Sequence, residues 1–301
     1  MKNYVDLHMH SNCSDDGDFT PAELVRKCKE AGVQVMSITD HNSARGNAEA
    51  KVEARKLGVD FITGIEIDCT YKDVNLHLLG YGIDDLSADI KTLESRILAG
   101  EKAASFERLA LTQKLSFDVT EAELNALSNI SDEHGTWTGE MFAEVLLDKK
   151  EYLNHPLLEP YRKNGERSDN PFVNFYWDFY SQGKPCYAKV EFPKIQEAVD
   201  IIRSNGGKAV LAHPGNNLKN CFELFDELFE PDIGIKGVEV FCSYHDKETA
   251  EYFYKKAMEF SLIITCGSDY HGKTKPSVKL GKTGCRLDRA EMDKQIELLT
   301  G

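Results

Sequence analysis

The sequence predicts an α/β protein: a mostly parallel, buried sheet, closed or nearly closed into a barrel, with a helical insertion. Three observations lead there. Segments of strand and helix character alternate over residues 4–81 and again over 193–266. Between them, residues 87–185 lose that rhythm and read as helical, then rich in aromatics, Asn, Pro and charge. Finally, the strand-like segments end on histidines and carboxylates, as parallel barrels do at the mouth where their chemistry sits.

The first strand covers residues 4–10. Side chains alternate along a strand, so His8 and His10 share one face while Leu7 and Met9 take the other. A helix opens at Thr20, with Pro21 at its first position and Glu23 completing a capping box, and it stops at Gly32. Strand two, residues 33–39, runs into Asp40 and His41, and a helix rich in Ala, Glu and Lys spans 44–57. Strand three, 60–67, carries Glu66 near its end, and strand four, 74–81, carries His77. Residues 100–188 are assigned to an inserted, mostly helical subdomain that caps the substrate, which leaves 1–99 and 189–301 for the barrel. Beyond the insertion a helix over 193–204 stops at Asn205-Gly206-Gly207. Strands five (208–213), six (237–241) and seven (262–266) follow; the fifth ends on His213 and the seventh leads to Asp269 and His271.

Composition narrows the function. The 301 residues, 41% hydrophobic, suffice for one large domain or one domain with an insertion. No apolar run is long enough to span a membrane, and the first strand starts too early for a signal peptide, so a cytoplasmic protein with no membrane partner is expected. The eight cysteines contain no Cys-x-x-Cys pair, which argues against a zinc knuckle and suits reduced thiols. A net charge of -14 disfavours binding along a long nucleic acid. It leaves room for a small phosphorylated substrate, because bound cations set the local field at a site. The oligomeric state is not legible.

Seven of the nine histidines (8, 10, 41, 77, 213, 245 and 271) lie at or near strand ends. With Glu66 and Asp269 they form a nitrogen and oxygen donor set without thiolate, suited to Mn, Zn or Fe. At about three protein ligands per catalytic ion, so many candidates imply two or three divalent ions. Such a cluster suits phosphate-ester hydrolysis: it lowers the pKa of bound water to about 7 and stabilises charge on the phosphoryl and leaving oxygens. His245, shortly after strand six, is a candidate to touch substrate or act as general acid.

The stretches Asp6-Leu7-His8-Met9-His10-Ser11, Ser14-Asp15, Thr39-Asp40-His41, Gly64-Ile65-Glu66, His77, Ala212-His213-Pro214-Gly215 and Gly267-Ser268-Asp269-Tyr270-His271 occur in the order of the polymerase and histidinol phosphatase (PHP) family, which the chain resembles. The resemblance implies a distorted, TIM-like (β/α)7 barrel with three metals. It places His8, His10, Glu66 and Asp269 on one ion, and Glu66 (bridging), His77 and His213 on a second. Asp15, His41 and His271 fall on the third, with Asp16 as the alternative to Asp15 because the loop Asp15-Asp16-Gly17-Asp18 is one residue longer than the family's usual turn. The insertion is similar to that of phosphoesterases acting on nucleotides, such as 3',5'-nucleoside bisphosphate phosphatases. Two departures stand out. Residues 136–143 lack the arginines those relatives use for substrate phosphate, and Asn42 stands where the family often has Asp.

The expected activity is metal-dependent hydrolysis of a phosphate ester on a small metabolite, a nucleotide, by a metal-bridging hydroxide held by Glu66. Alternatives are a cyclic phosphate phosphodiesterase, a C–N hydrolase of the amidohydrolase type, and a non-catalytic metal-binding module. The substrate-binding candidates are Arg45, Lys273, Lys275 and His245, with Lys184, Tyr187 and Lys189 in and just beyond the segment that closes the insertion. Trp137, Tyr176, Trp177 and Tyr180 are placed either against a base or in the core of the insertion.

Overall fold

The structure is a computed structural model describing all residues except 1–3, 15, 128–135, 220 and 230–232. The described residues form eight strands: β1 (Val5–Asp6), β2 (Val35–Met36), β3 (Asp60–Phe61), β4 (Gly64–Tyr71), β5 (Val74–Tyr81), β6 (Lys208–Leu211), β7 (Gly237–Phe241) and β8 (Ile263–Cys266). Helices α1 (Pro21–Ala31) and α2 (Gly46–Leu57) lie among the first strands. The long α3 (Ala88–Lys114), α4 (Glu121–Leu127), α5 (Gly139–Asp148) and α6 (Pro171–Phe179) follow β5. Then come α7 (Ile195–Ser204), the short α8 (Pro214–Asn217) and α9 (Leu224–Leu228), α10 (Lys247–Glu259) and α11 (Arg289–Thr300).

The strands form a parallel sheet in the order β1-β2-β3 and a mixed sheet in the order β4-β5-β6-β7-β8. Here the fold departs from the expected run of parallel βα units. The segment expected as strand three is two strands, β3 and β4, and β5 runs antiparallel to both β4 and β6. The reversal is a two-residue hairpin at Lys72 (φ 45°) and Asp73 (φ 64°), which puts both central residues at positive φ so that its twist matches the strands. β6, β7 and β8 are parallel. Two isolated parallel bridges, Met9 to Tyr270 and His41 to Glu66, join the sheets beyond the ends of β1 and β2.

Local signals act as the sequence dictates. Thr20 accepts from the Glu23 N–H, Glu23 accepts from the Thr20 N–H, and Gly32 closes α1 at φ 86°. Leu7 packs into the main apolar core around the mixed sheet, and Met9 into the smaller core under α1 and α2. The opposite face of that strand is therefore left to His8 and His10. Helix α3 crosses the expected boundary at residue 100: Ile90, Leu93 and Ile97 join the main core, whereas Leu109 joins a separate cluster with Phe142, Leu158 and Phe175. Trp137 and Tyr180 sit in that second cluster, Trp137 donating to Asn125 Oδ1 and Tyr180 bonding Thr112.

One buried amide ties the helix after β2 to β4. Asn47 donates Nδ2 to the carbonyls of Gly64 (2.8 Å) and Ala44 (3.0 Å), and its Oδ1 accepts from the Gly64 N–H (2.9 Å). Asn47→Ala strands these groups out of water and should cost about 2–4 kcal/mol, read as a lowered urea midpoint with an unchanged m-value. A midpoint like that of the parent would show that this tie carries little stability.

Candidate metal centre

Backbone pairing assembles the site. The Leu7 N–H donates to the Cys266 carbonyl (3.0 Å), the Asp269 N–H to His8 (2.8 Å) and the His10 N–H to Tyr270 (2.9 Å). These bonds set the histidines that follow β1 beside Asp269 and His271, which follow β8. Gly267 is required at this seam, because a Cβ there would lie 2.1 Å from His8 Cβ. On the other side the Glu66 N–H donates to Asp40 (3.1 Å) and the Asn42 N–H to Glu66 (2.6 Å), which brings His41 beside Glu66.

Three groups of donors result, and they share members: His8, His10, Glu66 and Asp269; His10, Asp16, His41 and His271; and His41, Glu66 and His77. In the first, Glu66 Oε2 lies 3.1 Å from both His8 Nε2 and His10 Nε2, which are 3.2 Å apart. Asp269 Oδ1 is 3.4 and 3.2 Å from the same two nitrogens. The other oxygen of Glu66, Oε1, lies 2.9 Å from His77 Nδ1 and 3.1 Å from His213 Nε2. His271 Nε2 is 3.0 Å from Asp16 Oδ2. Asp15 lies outside the described residues, and Asp16 is the carboxylate that stands in this group.

These spacings fit divalent ions. Two ligands about 2.1 Å from one ion are separated by about 3.0 Å at an octahedral angle and about 3.4 Å at a tetrahedral one. The buried Asp16 Oδ1 and His213 Nδ1 have no hydrogen-bond partner. Electrostatics agrees. Burial, with His271 and His41 close by, pushes His10 down to about 4, so that it is a neutral ring with a lone pair to give at pH 7. Burial alone would raise the Glu66 carboxyl, but the charges of His8, His41 and His77 hold it well below its usual range.

Residues around the donors orient them. Glu239, buried in β7, accepts from His8 Nδ1 (3.0 Å) through Oε1 and from the His213 backbone N–H (3.0 Å) through Oε2, which leaves His8 Nε2 free as a donor to an ion. Asp40 accepts from the Ser11 N–H (2.6 Å) and the Ser11 and Ser14 hydroxyls, holding the loop after His10. Glu239 was not expected from the sequence; its signal is an acid in the middle of the apolar run Gly237–Phe241, where burial demands a partner.

Most of these donors line a cavity of about 480 Å³ that Arg108, Glu140, Tyr176 and Trp177, from the stretch between β5 and α7, line as well. Of the expected substrate-binding residues, Arg45, Tyr187 and Lys275 line it. Lys275 is buried, with Nζ 2.5 Å from Asp269 Oδ2; burial works against its charge, yet Asp269 and Tyr244 hold its pKa above the usual range. Arg45 pairs with Glu94 (2.6 Å). Lys273 turns away to Glu144 (2.9 Å), Lys189 pairs with Glu191 (2.7 Å) outside the cavity, and Lys184 is exposed away from it.

His245 departs from its expected role. Its Nε2 accepts from the Gly215 N–H (2.9 Å), its Nδ1 donates to the Val240 carbonyl (2.8 Å), and its ring stacks on Phe253. Both nitrogens are committed within the fold and the ring does not line the cavity. Arg108 of α3, with its Nε unpartnered, supplies a guanidinium to the cavity wall that residues 136–143 do not.

Fold and site together define a metal-dependent phosphoesterase, and comparison with known proteins agrees. The PHP domain matches residues 6–159, just over half of the chain, and the chain belongs to that family. It is 26% identical to the phosphoribosyl 1,2-cyclic phosphate 1,2-diphosphodiesterase of Eggerthella lenta over 89% of this chain and 94% of that one. It is equally identical to the 3',5'-nucleoside bisphosphate phosphatase of Chromobacterium violaceum (93% and 91%) and to a 5'-3' exoribonuclease of Haemophilus influenzae (90% and 91%). Among solved structures, a Bifidobacterium adolescentis protein provisionally described as a metal-dependent phosphoesterase superposes with a TM-score of 0.76 at 25% identity, covering 97% of this chain and 95% of that one. No helix of the described residues is long and apolar enough to cross a membrane.

Because His10 belongs to two donor groups, His10→Ala should lower the bound metal by at least one ion per chain, read by elemental analysis of protein purified without chelator. Undiminished metal in a folded His10→Ala protein would contradict this grouping.

Proposed function

We propose that this chain hydrolyses a phosphate ester on a small phosphorylated metabolite, a nucleotide, at a centre of two or three Mn, Zn or Fe ions. The observation that carries the reading is Glu66, whose two oxygens face separate sets of imidazoles: Oε2 faces His8 and His10, and Oε1 faces His77 and His213. His8, His10, Glu66 and Asp269 would hold one ion; Glu66, His77 and His213 a second; Asp16, His41 and His271 a third. Divalent ions bound there supply Lewis acidity toward phosphoryl oxygens and an activated water.

The protein's own part is placement. Glu66 sets the spacing between two of the ion sites, and Glu239 fixes the ring of His8. Lys275 lies beside Asp269 with its charge turned to the cavity floor, where it would meet a substrate phosphate. Tyr176, Trp177 and Tyr187 offer apolar faces along the wall for the body of the substrate. In this reading the two sheets act as one distorted (β/α)7 barrel, bridged at Met9 to Tyr270 and at His41 to Glu66, and residues 100–188 form its cap. All eight cysteines are free thiols, which suits a reducing cytoplasm. One relative's name, exoribonuclease, makes an RNA end a second substrate class to test beside mononucleotides.

The test is phosphate release from nucleoside monophosphates, bisphosphates, cyclic phosphates and short RNA, with each metal supplied. Glu66→Gln keeps the shape but removes one anionic oxygen from between the sites. It should lower kcat by roughly a thousandfold, about 4 kcal/mol of transition-state stabilisation. Near-normal kcat in metal-loaded Glu66→Gln would rule out this mechanism, and no release from any ester by the metal-loaded parent would rule out the reading itself.

A further inference from the structure

One half-buried carboxylate beside the centre belongs to none of the ligand sets above. Asp68 lies two residues beyond Glu66 on β4, directly across the hairpin from His77. Its Oδ1 is 3.2 Å from His41 Nδ1 and 3.3 Å from His77 Nε2. These separations match the edges between ligands of a common ion. Yet Oδ1 of Asp68 and Nδ1 of His41 are both buried without a hydrogen-bond partner: the atoms are near each other, but not aligned as donor and acceptor. Lone pairs that converge on a point between atoms, rather than on each other, leave this pattern.

The second oxygen of Asp68 is already committed. Asn42 Nδ2 donates to Asp68 Oδ2 (2.7 Å), and Asn42 Oδ1 accepts from the Asp68 backbone N–H (2.9 Å). Asn42 is itself held at φ 55°, directly after His41. This two-point clamp fixes the carboxylate plane and turns Oδ1 toward the imidazoles, as hydrogen bonds to the outer oxygen of a ligating carboxylate do. Asp68 also lines the same cavity as most of the other donors.

We propose that Asp68 is itself a metal ligand of this centre, offering Oδ1 to an ion on the side of His41 and His77. The proposal rests on the metal-centre reading above but not on the phosphoesterase chemistry. Asn42 becomes the residue that orients it, a role an amide fills because it offers one donor and one acceptor to a carboxylate and a peptide N–H at once.

The experiment is metal binding, independent of turnover. Apo protein is titrated with zinc against a chromophoric chelator, and retained metal is measured after dialysis, for the parent and Asp68→Asn. In Asp68→Asn the Asn42 Nδ2 donor selects the amide oxygen for itself and turns the NH2 group toward the histidines, where it has no lone pair for an ion. We expect the metal-free variant to keep the parent's circular dichroism, to lose about one metal equivalent per chain, and to bind the weakest ion at least tenfold less tightly. A folded Asp68→Asn protein with the parent's stoichiometry and affinities would overturn the proposal. If Asp68→Asn does not fold, Asp68→Ser decides on the same criterion. Failure here with phosphate release intact in the parent would remove Asp68 from the ligand set and leave the proposed function standing.

Discussion

A single buried carboxylate, Glu66, sets the constraint on which the rest of the site depends. A carboxylate this deep costs several kcal/mol to desolvate unless positive or hydrogen-bonding partners surround it. The chain surrounds it with imidazoles from four elements: His8 and His10 beyond β1, His41 beyond β2, His77 on β5 and His213 beyond β6. Burial works against the charge of His8, yet Glu239, Glu66 and Asp269 hold it well above the usual imidazole value, while burial, with His271 and His41 close by, pushes His10 below it. In the proposed centre the same atoms would become ligands, which would couple folding and metal binding through one cluster.

That coupling explains the buried polar scaffolding. Asp6 accepts from the backbone of Ser268 (2.8 Å) and Gly281 (2.7 Å), tying the start of the chain to its C-terminal part. Asp40 does the same for the loop that carries Ser11 and Ser14, and Glu239 for His8 and His213. Burial raises both Asp6 and Asp40 to about 6. These residues never face the cavity. They fix the strand extensions whose register decides whether the donor atoms lie about 3 Å apart or too far apart to share an ion.

Much of this was legible in the sequence because strand alternation is a hard rule. Given Leu7 and Met9 inside, His8 and His10 must face together, and the strand-end positions of His41, His213, Asp269 and His271 follow from the same reasoning. The capping box at Thr20 and the strands β5 and β7 were read to the residue. The antiparallel course of β5 was not, because its turn, Lys72-Asp73, carries no Asn-Gly or Asp-Gly signal although it adopts the same backbone. Asp68 was not singled out because the strand carrying Glu66 was read as ending at residue 67, whereas β4 runs on to Tyr71 and alternation puts Asp68 on the same face as Glu66. His245 was misjudged for the opposite reason. Nearness to a strand end in sequence does not fix where a ring points, and here two backbone groups claim both of its nitrogens.

In the stretch read as an insertion, Trp137 and Tyr180 sit in an apolar cluster against which Tyr176 also packs, while Tyr176, Trp177 and Tyr180 all line the cavity, so one side chain can serve both surfaces. The central claim concerns the floor below them, and crystals soaked with manganese or zinc test it most directly by anomalous scattering. The account predicts one peak within about 2.0–2.5 Å of Glu66 Oε2, His8 Nε2, His10 Nε2 and an Asp269 oxygen, and a second at Glu66 Oε1 with His77 and His213. Ions bound elsewhere in the crystal with no anomalous density at Glu66 would contradict it.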